Sequence, residues 1–232
     1  MKRTLTLLFS ALLTICAWAE DTEPKVVDDV YQISTASELT WFASHVNAGN
    51  TSANAVLTAD IVVNENVLTD HVLNSGEFTQ WSPIGTEDYP YHGTFDGQGH
   101  TVSGLFNNQV KSFTGFFGHI GNATIKNLGV TDTYFKCYQK SGGIAGFCAN
   151  SNQLFVFAIE NCWFDGRIDA TDFDISGILG GSWSSAESHI TNCYNLGTIS
   201  STRSSGACVG GITGYCRENT TISNCFNYGE IS

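Results

Sequence analysis

The chain has little charge, and least of the positive kind. Only 14% of its 232 residues are charged, and 10 Lys and Arg stand against 22 Asp and Glu, a formal net charge of −12. Nucleic-acid binding is excluded on this ground, because it needs clustered basic side chains to neutralise phosphates. Proline occurs 3 times and methionine once. The Lys, Glu, Leu and Ala that build coiled coils and long helices are too few for that class. Disorder is excluded from the other side, since 42% hydrophobic and 12% aromatic residues are core-forming material. What is plentiful is glycine, 24 in all, together with Asn, Ser and Thr. The composition implies a β-rich, turn-rich, acidic domain.

The first 19 residues read as a secretory signal peptide. Lys2 and Arg3 form a basic start, Leu5 to Cys16 is an apolar run of 12 residues, and Ala17-Trp18-Ala19 has the small-x-small form of a cleavage site. The run is too short to span a bilayer as a helix. Cleavage after Ala19 removes two of the 10 basic residues and no acid, leaving 8 against 22, a net charge of −14. Cys16 offers a rival reading as a lipid-attachment site, disfavoured because Ile15 stands where a small residue is usual. The expected location is secreted or cell-surface.

An internal repeat organises the second half. Gly143-Ile144-Ala145-Gly146, Gly177-Ile178-Leu179-Gly180 and Gly211-Ile212-Thr213-Gly214 share the pattern Gly-apolar-x-Gly, and Gly115-Phe116-Phe117-Gly118 is an earlier copy; successive first glycines are 28, 34 and 34 residues apart. A second marker, Ile125-x-Asn127, Ile159-x-Asn161, Ile190-x-Asn192 and Ile222-x-Asn224, recurs every 34, 31 and 32 residues. Each unit holds short β-type runs between Gly, Asn or Asp turns. One unit cannot bury its apolar side chains alone, whereas stacked units share a continuous core and pair strand on strand. The expected fold is all-β, a parallel β-helix whose coils rise ~4.8 Å each.

Stacking turns the markers into columns. Phe116, Ile144, Ile178 and Ile212 form an inward one. Asn127, Asn161, Asn192 and Asn224 form a corner ladder, since Asn tolerates a left-handed bend and can bond its neighbours in line. Leu128, Cys162, Cys193 and Cys225 form a third, with Cys acting as a small hydrophobe. Trp163, Tyr194 and Phe226 follow those cysteines and read either as an outward aromatic strip for sugar faces or, preferably, as ladder packing.

Upstream, residues 20–30 read as an acidic flexible linker and 31–92 as an N-terminal cap with lead-in strands; residues 93–232 read as the β-helix repeats. Thr35-Ala36-Ser37-Glu38 is a capping box, and Leu39, Phe42, Ala43 and Val46 fall on one helix face, with Gly49 as a stop. Val56 to Val63 reads as one strand. The chain ends at Gly229-Glu230-Ile231-Ser232, inside a repeat, so a C-terminal continuation or an edge-pairing partner is expected there.

These repeats resemble the GLUG motifs (Gly-Leu-x-Gly type) of secreted and surface proteins in gut Bacteroidetes and Firmicutes. The matching stretches are Gly115–Gly118, Gly143–Gly146, Gly177–Gly180 and Gly211–Gly214. Tyr31-Gln32-Ile33, Leu57-Thr58-Ala59-Asp60-Ile61, Trp81-Ser82-Pro83-Ile84-Gly85 and Gly93 to Val102 resemble the family's usual N-terminal approach to them. The resemblance covers roughly residues 30–232. It implies a right-handed parallel β-helix in an extracellular, often adhesin-like protein, with a host or microbial surface glycan or protein as partner. Similar repeats lie beside the catalytic domains of bacterial IgA-specific metallopeptidases, but this chain has no His-Glu-x-x-His zinc motif.

The residues give catalysis little footing. Asp169, Asp172 and Asp174 cluster in one inter-repeat loop with Arg167 nearby, a set that suits Ca²⁺ or a polysaccharide lyase; a solvated acidic loop is the preferred reading. Asp96 in Phe95-Asp96-Gly97-Gln98-Gly99 reads as a turn residue. Seven cysteines follow Ala19, at 137, 148, 162, 193, 208, 216 and 225, without a CxxC pair; Cys193–Cys225 is within geometric reach of a bridge, and free buried thiols are preferred. No metal, cofactor or catalytic residue is expected. The functional expectation is a non-catalytic extracellular β-helix module, adhesin-like or ligand-binding. The alternative is a carbohydrate-active β-helix enzyme, a lyase or glycoside hydrolase.

Overall fold

The computed structural model describes residues 21–70, 76–148, 155–184 and 186–232. The signal-peptide reading, with Cys16, lies outside them. The described chain is a parallel β-solenoid of about four turns with a helix at its N-terminal end.

The first of its sheets runs the length of the solenoid. Its strands lie in the order Lys25–Val27, Val30–Ile33, Asn54–Leu57, Thr94–Asp96, Thr124–Lys126, Ala158–Glu160, Ser188–Thr191 and Thr220–Ser223, all parallel except the first. The isoleucine markers stack in register, Ile125 on Ile159 on Ile190 on Ile222. A second sheet stacks Thr101–Ser103, Gly129–Cys137, Trp163–Ala170, Tyr194–Asn195 and Phe226–Asn227. A third stacks Phe117–Ile120, Ala145–Cys148, Leu179–Ser182 and Thr213–Cys216, which places Phe116, Ile144, Ile178 and Ile212 one above another. The first three of these are fully buried and Ile212, in the last coil, is half-buried.

The repeat glycines have a steric cause. A Cβ on Gly143 would strike the Phe164 ring across the interior, and one on Gly177 or Gly211 would strike Asn195 or Asn227. The second glycine of each block faces backbone: a Cβ on Gly146 would lie 2.6 Å from the Gly118 carbonyl oxygen, and one on Gly180 2.5 Å from that of Gly146. No side chain fits at either place, so the pattern Gly-apolar-x-Gly recurs.

Helix α1 (Ala36–Asn47) forms as its sequence predicts. The Thr35 hydroxyl accepts from the Glu38 N–H at 3.2 Å, and the Glu38 carboxylate accepts from the Thr35 N–H at 3.1 Å. Leu39, Phe42, Ala43 and Val46 are buried, and Phe42 meets the Tyr91 and Phe95 rings at 6.3 and 6.1 Å. The helix therefore covers the apolar columns at this end.

Three expectations for the N-terminal part are corrected. The described part of the 20–30 segment is not a loose linker: Lys25–Val27 and Val30–Ile33 form an antiparallel hairpin, with Asp28 and Asp29 both at positive φ (50° and 61°). Two such residues make the mirror-image turn that matches strand twist. The solenoid does not begin at residue 93, since Val30–Ile33 already pairs in parallel with Asn54–Leu57. Val56 to Val63 is not one strand, because the chain bends at Ala59 between Asn54–Leu57 and Ile61–Val62 and so passes from the first sheet to the second. A short second helix, α2 (Val67–Asp70), lies on a small satellite cluster of Val67, Phe106 and Tyr134.

Candidate functional site

The asparagine corner is as expected. Asn127, Asn161, Asn192 and Asn224 all adopt φ of 53° to 56°. Asn161 Nδ2 donates to Asn127 Oδ1 at 2.9 Å and Asn192 Nδ2 to Asn161 Oδ1 at 3.0 Å. Asp96 heads the ladder: its carboxylate accepts from Asn127 Nδ2 at 2.9 Å and from the Gln98 N–H at 2.8 Å. These contacts, with Lys126 close by, hold its carboxyl below the usual range despite partial burial. Asp96 is a turn residue.

The thiol column also forms. Cys162, Cys193 and Cys225 point alike, each donating to the carbonyl two residues back, at 3.2, 3.3 and 3.2 Å. All seven described cysteines are free. Burial pushes the thiol of Cys162 well up and those of Cys137 and Cys148 up to about 12, so these thiols are inert as nucleophiles at neutral pH.

Trp163, Tyr194 and Phe226 stand on the outer side of the second sheet. Their ring centroids are 5.9 and 4.9 Å apart and their planes within 7° and 3° of parallel. Phe226 is 46% exposed, and Tyr228, 82% exposed, meets it edge-on at 5.5 Å. The arrangement is a ladder. One face of Trp163 lies on Gly129, where no Cβ would fit, and its other face lies toward Tyr194. Tyr194 is sandwiched in turn by Phe226. Both faces of Tyr194 are therefore occupied within the ladder.

The acidic loop of Asp169, Asp172 and Asp174 does not converge. Asp169 accepts from Arg167 Nε at 2.9 Å, from Ser200 Oγ at 3.0 Å and from the Tyr134 hydroxyl at 3.1 Å. Its carboxyl is half-buried, and these bonds hold it below the usual range. Asp172 pairs with Arg203. Asp174 is 3% exposed, and burial pushes it up to about 6 against the pull of Lys140. The expectation of a solvated acidic loop is therefore corrected, because Asp172 and Asp174 are both buried. Among the described residues no three His, Cys, Asp or Glu side chains come together as metal ligands do.

The sequence pattern did not reveal a second corner. Phe113, Lys140 and Asp174, at φ of 59°, 53° and 60°, stack one per coil beside the third sheet. The Lys140 ammonium lies 4.1 Å from the Trp183 ring centroid and 4.6 Å from that of Phe147. His119 stacks on Phe147 at 5.8 Å and 9°. It is 3% exposed, neither ring nitrogen makes a well-formed hydrogen bond within the described residues, and burial pushes its pKa down to about 4. No shared residue type marks these positions, so nothing in the sequence announces them.

No protein-family model matches the chain, and no curated protein matches it. Among solved structures, one from Bacteroides ovatus, described as "a putative immunoglobulin A1 protease", is similar with a TM-score of 0.50 at 21% identity, covering 86% of this chain and 67% of that one. At that identity the likeness shows the parallel β-solenoid fold.

Proposed function

We propose that this protein is a non-catalytic extracellular or cell-surface module, an adhesin-like β-solenoid that presents binding surfaces. The observation that carries this reading is the fate of the carboxylates. Glycoside hydrolysis needs two carboxyl groups across one bond, and lyase chemistry needs a free base beside acids. Here Asp169 is tied to Arg167, Ser200 and Tyr134, Asp172 to Arg203, and Asp96 to its own turn and the asparagine ladder. Each does structural duty within its own coil or between neighbours. The GLUG-like repeats and the signal-peptide pattern support export, with Glu20 as the first mature residue. Among the described residues no helix is long and apolar enough to cross a membrane. The activity named for the Bacteroides ovatus protein stays with that protein.

The test is incubation of the purified protein with acidic polysaccharides and Ca²⁺. No depolymerisation is expected. Product formation that disappears in Asp172→Asn would establish the carbohydrate-active reading instead. N-terminal sequencing of the exported protein checks cleavage after Ala19.

A further inference from the structure

We infer that the N-terminal cap carries a shallow surface site for a neutral sugar, a hexopyranose ring with adjacent free hydroxyls. A shallow, open depression of about 330 Å³ lies where the hairpin, the end of α1 and the loop after it meet; Tyr31, His45, Asn50, Thr51 and Ser52 line it, with Asn50 and Ser52 exposed.

The charge pattern selects the ligand. Residues 39–59 contain no Asp, Glu, Lys or Arg, in a chain whose formal charge is −12. An anion would find no cation here, and a cation no carboxylate. What remains is hydroxyls, an amide and two aromatic rings, the chemistry that suits an uncharged polyol with an apolar ring face.

The hydrogen-bond directions leave one donor and one acceptor free. Asn50 Nδ2 can only donate, and it reaches His45 O at 3.1 Å and His45 Nδ1 at 3.4 Å. His45 Nδ1 is therefore the acceptor, and the neutral ring carries its proton on Nε2. Nε2 lies 3.2 Å from the Tyr31 hydroxyl and donates to it. The Tyr31 O–H proton is then unspent, as is Asn50 Oδ1. Together they form a donor and acceptor pair for neighbouring sugar hydroxyls, with the Thr51 and Ser52 hydroxyls beside them.

The site is also rigid before any ligand arrives. The His45 ring stacks on Trp41 at 4.6 Å and 15°. The loop is pinned through its carbonyls, with Thr51 O accepting from the His92 N–H at 2.7 Å and Ala53 O from the Tyr91 hydroxyl at 2.9 Å. A site ordered in advance loses less entropy on binding.

This inference is independent of whether the solenoid is catalytic, and the two fail separately: depolymerisation reads the carboxylates, whereas the surface site is read by spectroscopy. The test is a titration of the whole chain with methyl glycosides of glucose, galactose, mannose and N-acetylglucosamine, followed through the His45 and Tyr31 ring resonances by NMR. Saturable shifts are expected with at least one of them, at a Kd on the order of 1 mM. Tyr31→Phe, which keeps the ring, should weaken binding about tenfold, and Asn50→Ala about as much. Tyr194→Ala, in the distant ladder, should leave it unchanged. No saturable shift with any of the four at ~20 mM, about twenty times that Kd, would overturn the proposal. So would unchanged affinity in a folded Tyr31→Phe, or loss of binding in a folded Tyr194→Ala.

Discussion

The solenoid turns two corners with the same left-handed backbone and holds them by different means. Along one corner Asn127, Asn161, Asn192 and Asn224 share one left-handed bend, and in the first three the side chain that tolerates the bend also bonds to its neighbour. Along the other, Phe113, Lys140 and Asp174 adopt the same φ with nothing in common chemically. Left-handed conformation costs an ordinary residue about 1–2 kcal/mol. At the second corner this strain is offset from outside, by aromatic packing around Phe147 and by the ammonium of Lys140 over three rings. A corner can be stabilised by the residue that makes it or by the residues that cover it.

Substitution separates the two designs most sharply at Asn161. Asn161→Val places a β-branched residue at φ 53° and breaks two ladder bonds. A loss of about 3–4 kcal/mol is expected in urea unfolding, whereas Asn161→Gly keeps the bend and should lose about 2. Equal losses in the two variants would mean that the ladder alone matters.

Acid titration probes the covered corner. His119 stays neutral down to about 4 when folded, against about 6.5 when unfolded, so the unfolded chain binds more protons between those values. Its contribution is complete above pH ~6.5 and is lost as pH falls toward ~4. Asp174 acts oppositely: its folded value of about 6 exceeds the unfolded ~3.9, so the folded chain binds more protons and this group favours folding as pH falls through that window. Each effect is about 3 kcal/mol, and in the natural chain they largely cancel. Asp96 and Asp169, held low, titrate below this window. Burial also holds His92 low, in every variant alike; relative to the natural chain, His119→Leu should therefore gain stability on acidification from pH ~6.5 to ~4, and Asp174→Asn should lose it. If both variants keep the natural pH profile, the pairing of opposed titrations is wrong.

Lys140→Gly sets strain against cover. The substitution relieves φ 53° but removes the cation from the Phe147 and Trp183 rings, worth about 1 kcal/mol. A net change near zero is expected, in contrast to the clear loss in Asn161→Gly; a loss above ~2 kcal/mol would show that the ammonium, and not the packing, holds the corner. The smallest effect expected is none at all. Cys148 and Cys216 share one column with Ser182 between them, so their strands stand two rises apart, ~9.6 Å, beyond disulfide reach. Unreduced mass spectrometry should find no bridge between them.

What could be read from the sequence follows from this contrast. The inward isoleucines, the Asn corner and the thiol column were legible because one residue type recurs at one period, and the register bears out each of them. The cap helix was legible from its box and its apolar face. The covered corner was not, because Phe, Lys and Asp share no pattern and their bends depend on partners from other coils. Nor was the hairpin at Asp28-Asp29, where acidic residues that read as a loose linker instead make a tight turn. The burial of Asp172 and Asp174 was missed for a similar reason: the residues that shield them, Arg203 and Lys140, lie about 30 positions away in neighbouring coils. The cap site leaves one faint trace, the uncharged stretch 39–59, which alone does not mark a site.

In three of the four repeats the glycine that opens the block and the side chain that occupies its missing Cβ lie in the same coil: Gly143 with Phe164, Gly177 with Asn195, Gly211 with Asn227. Each of these coils carries a side-chain key to its own glycine, and the next coil adds a carbonyl, Gly177 O blocking a Cβ on Gly143 and Gly211 O lying 2.7 Å from one on Gly177. A unit can be copied or deleted whole as long as the coil that comes to lie against it presents the same glycine carbonyls. An insertion within a unit would part the glycine from its key. Growth of such a molecule is therefore quantised in coils, and its length can drift over generations while its cross-section stays fixed.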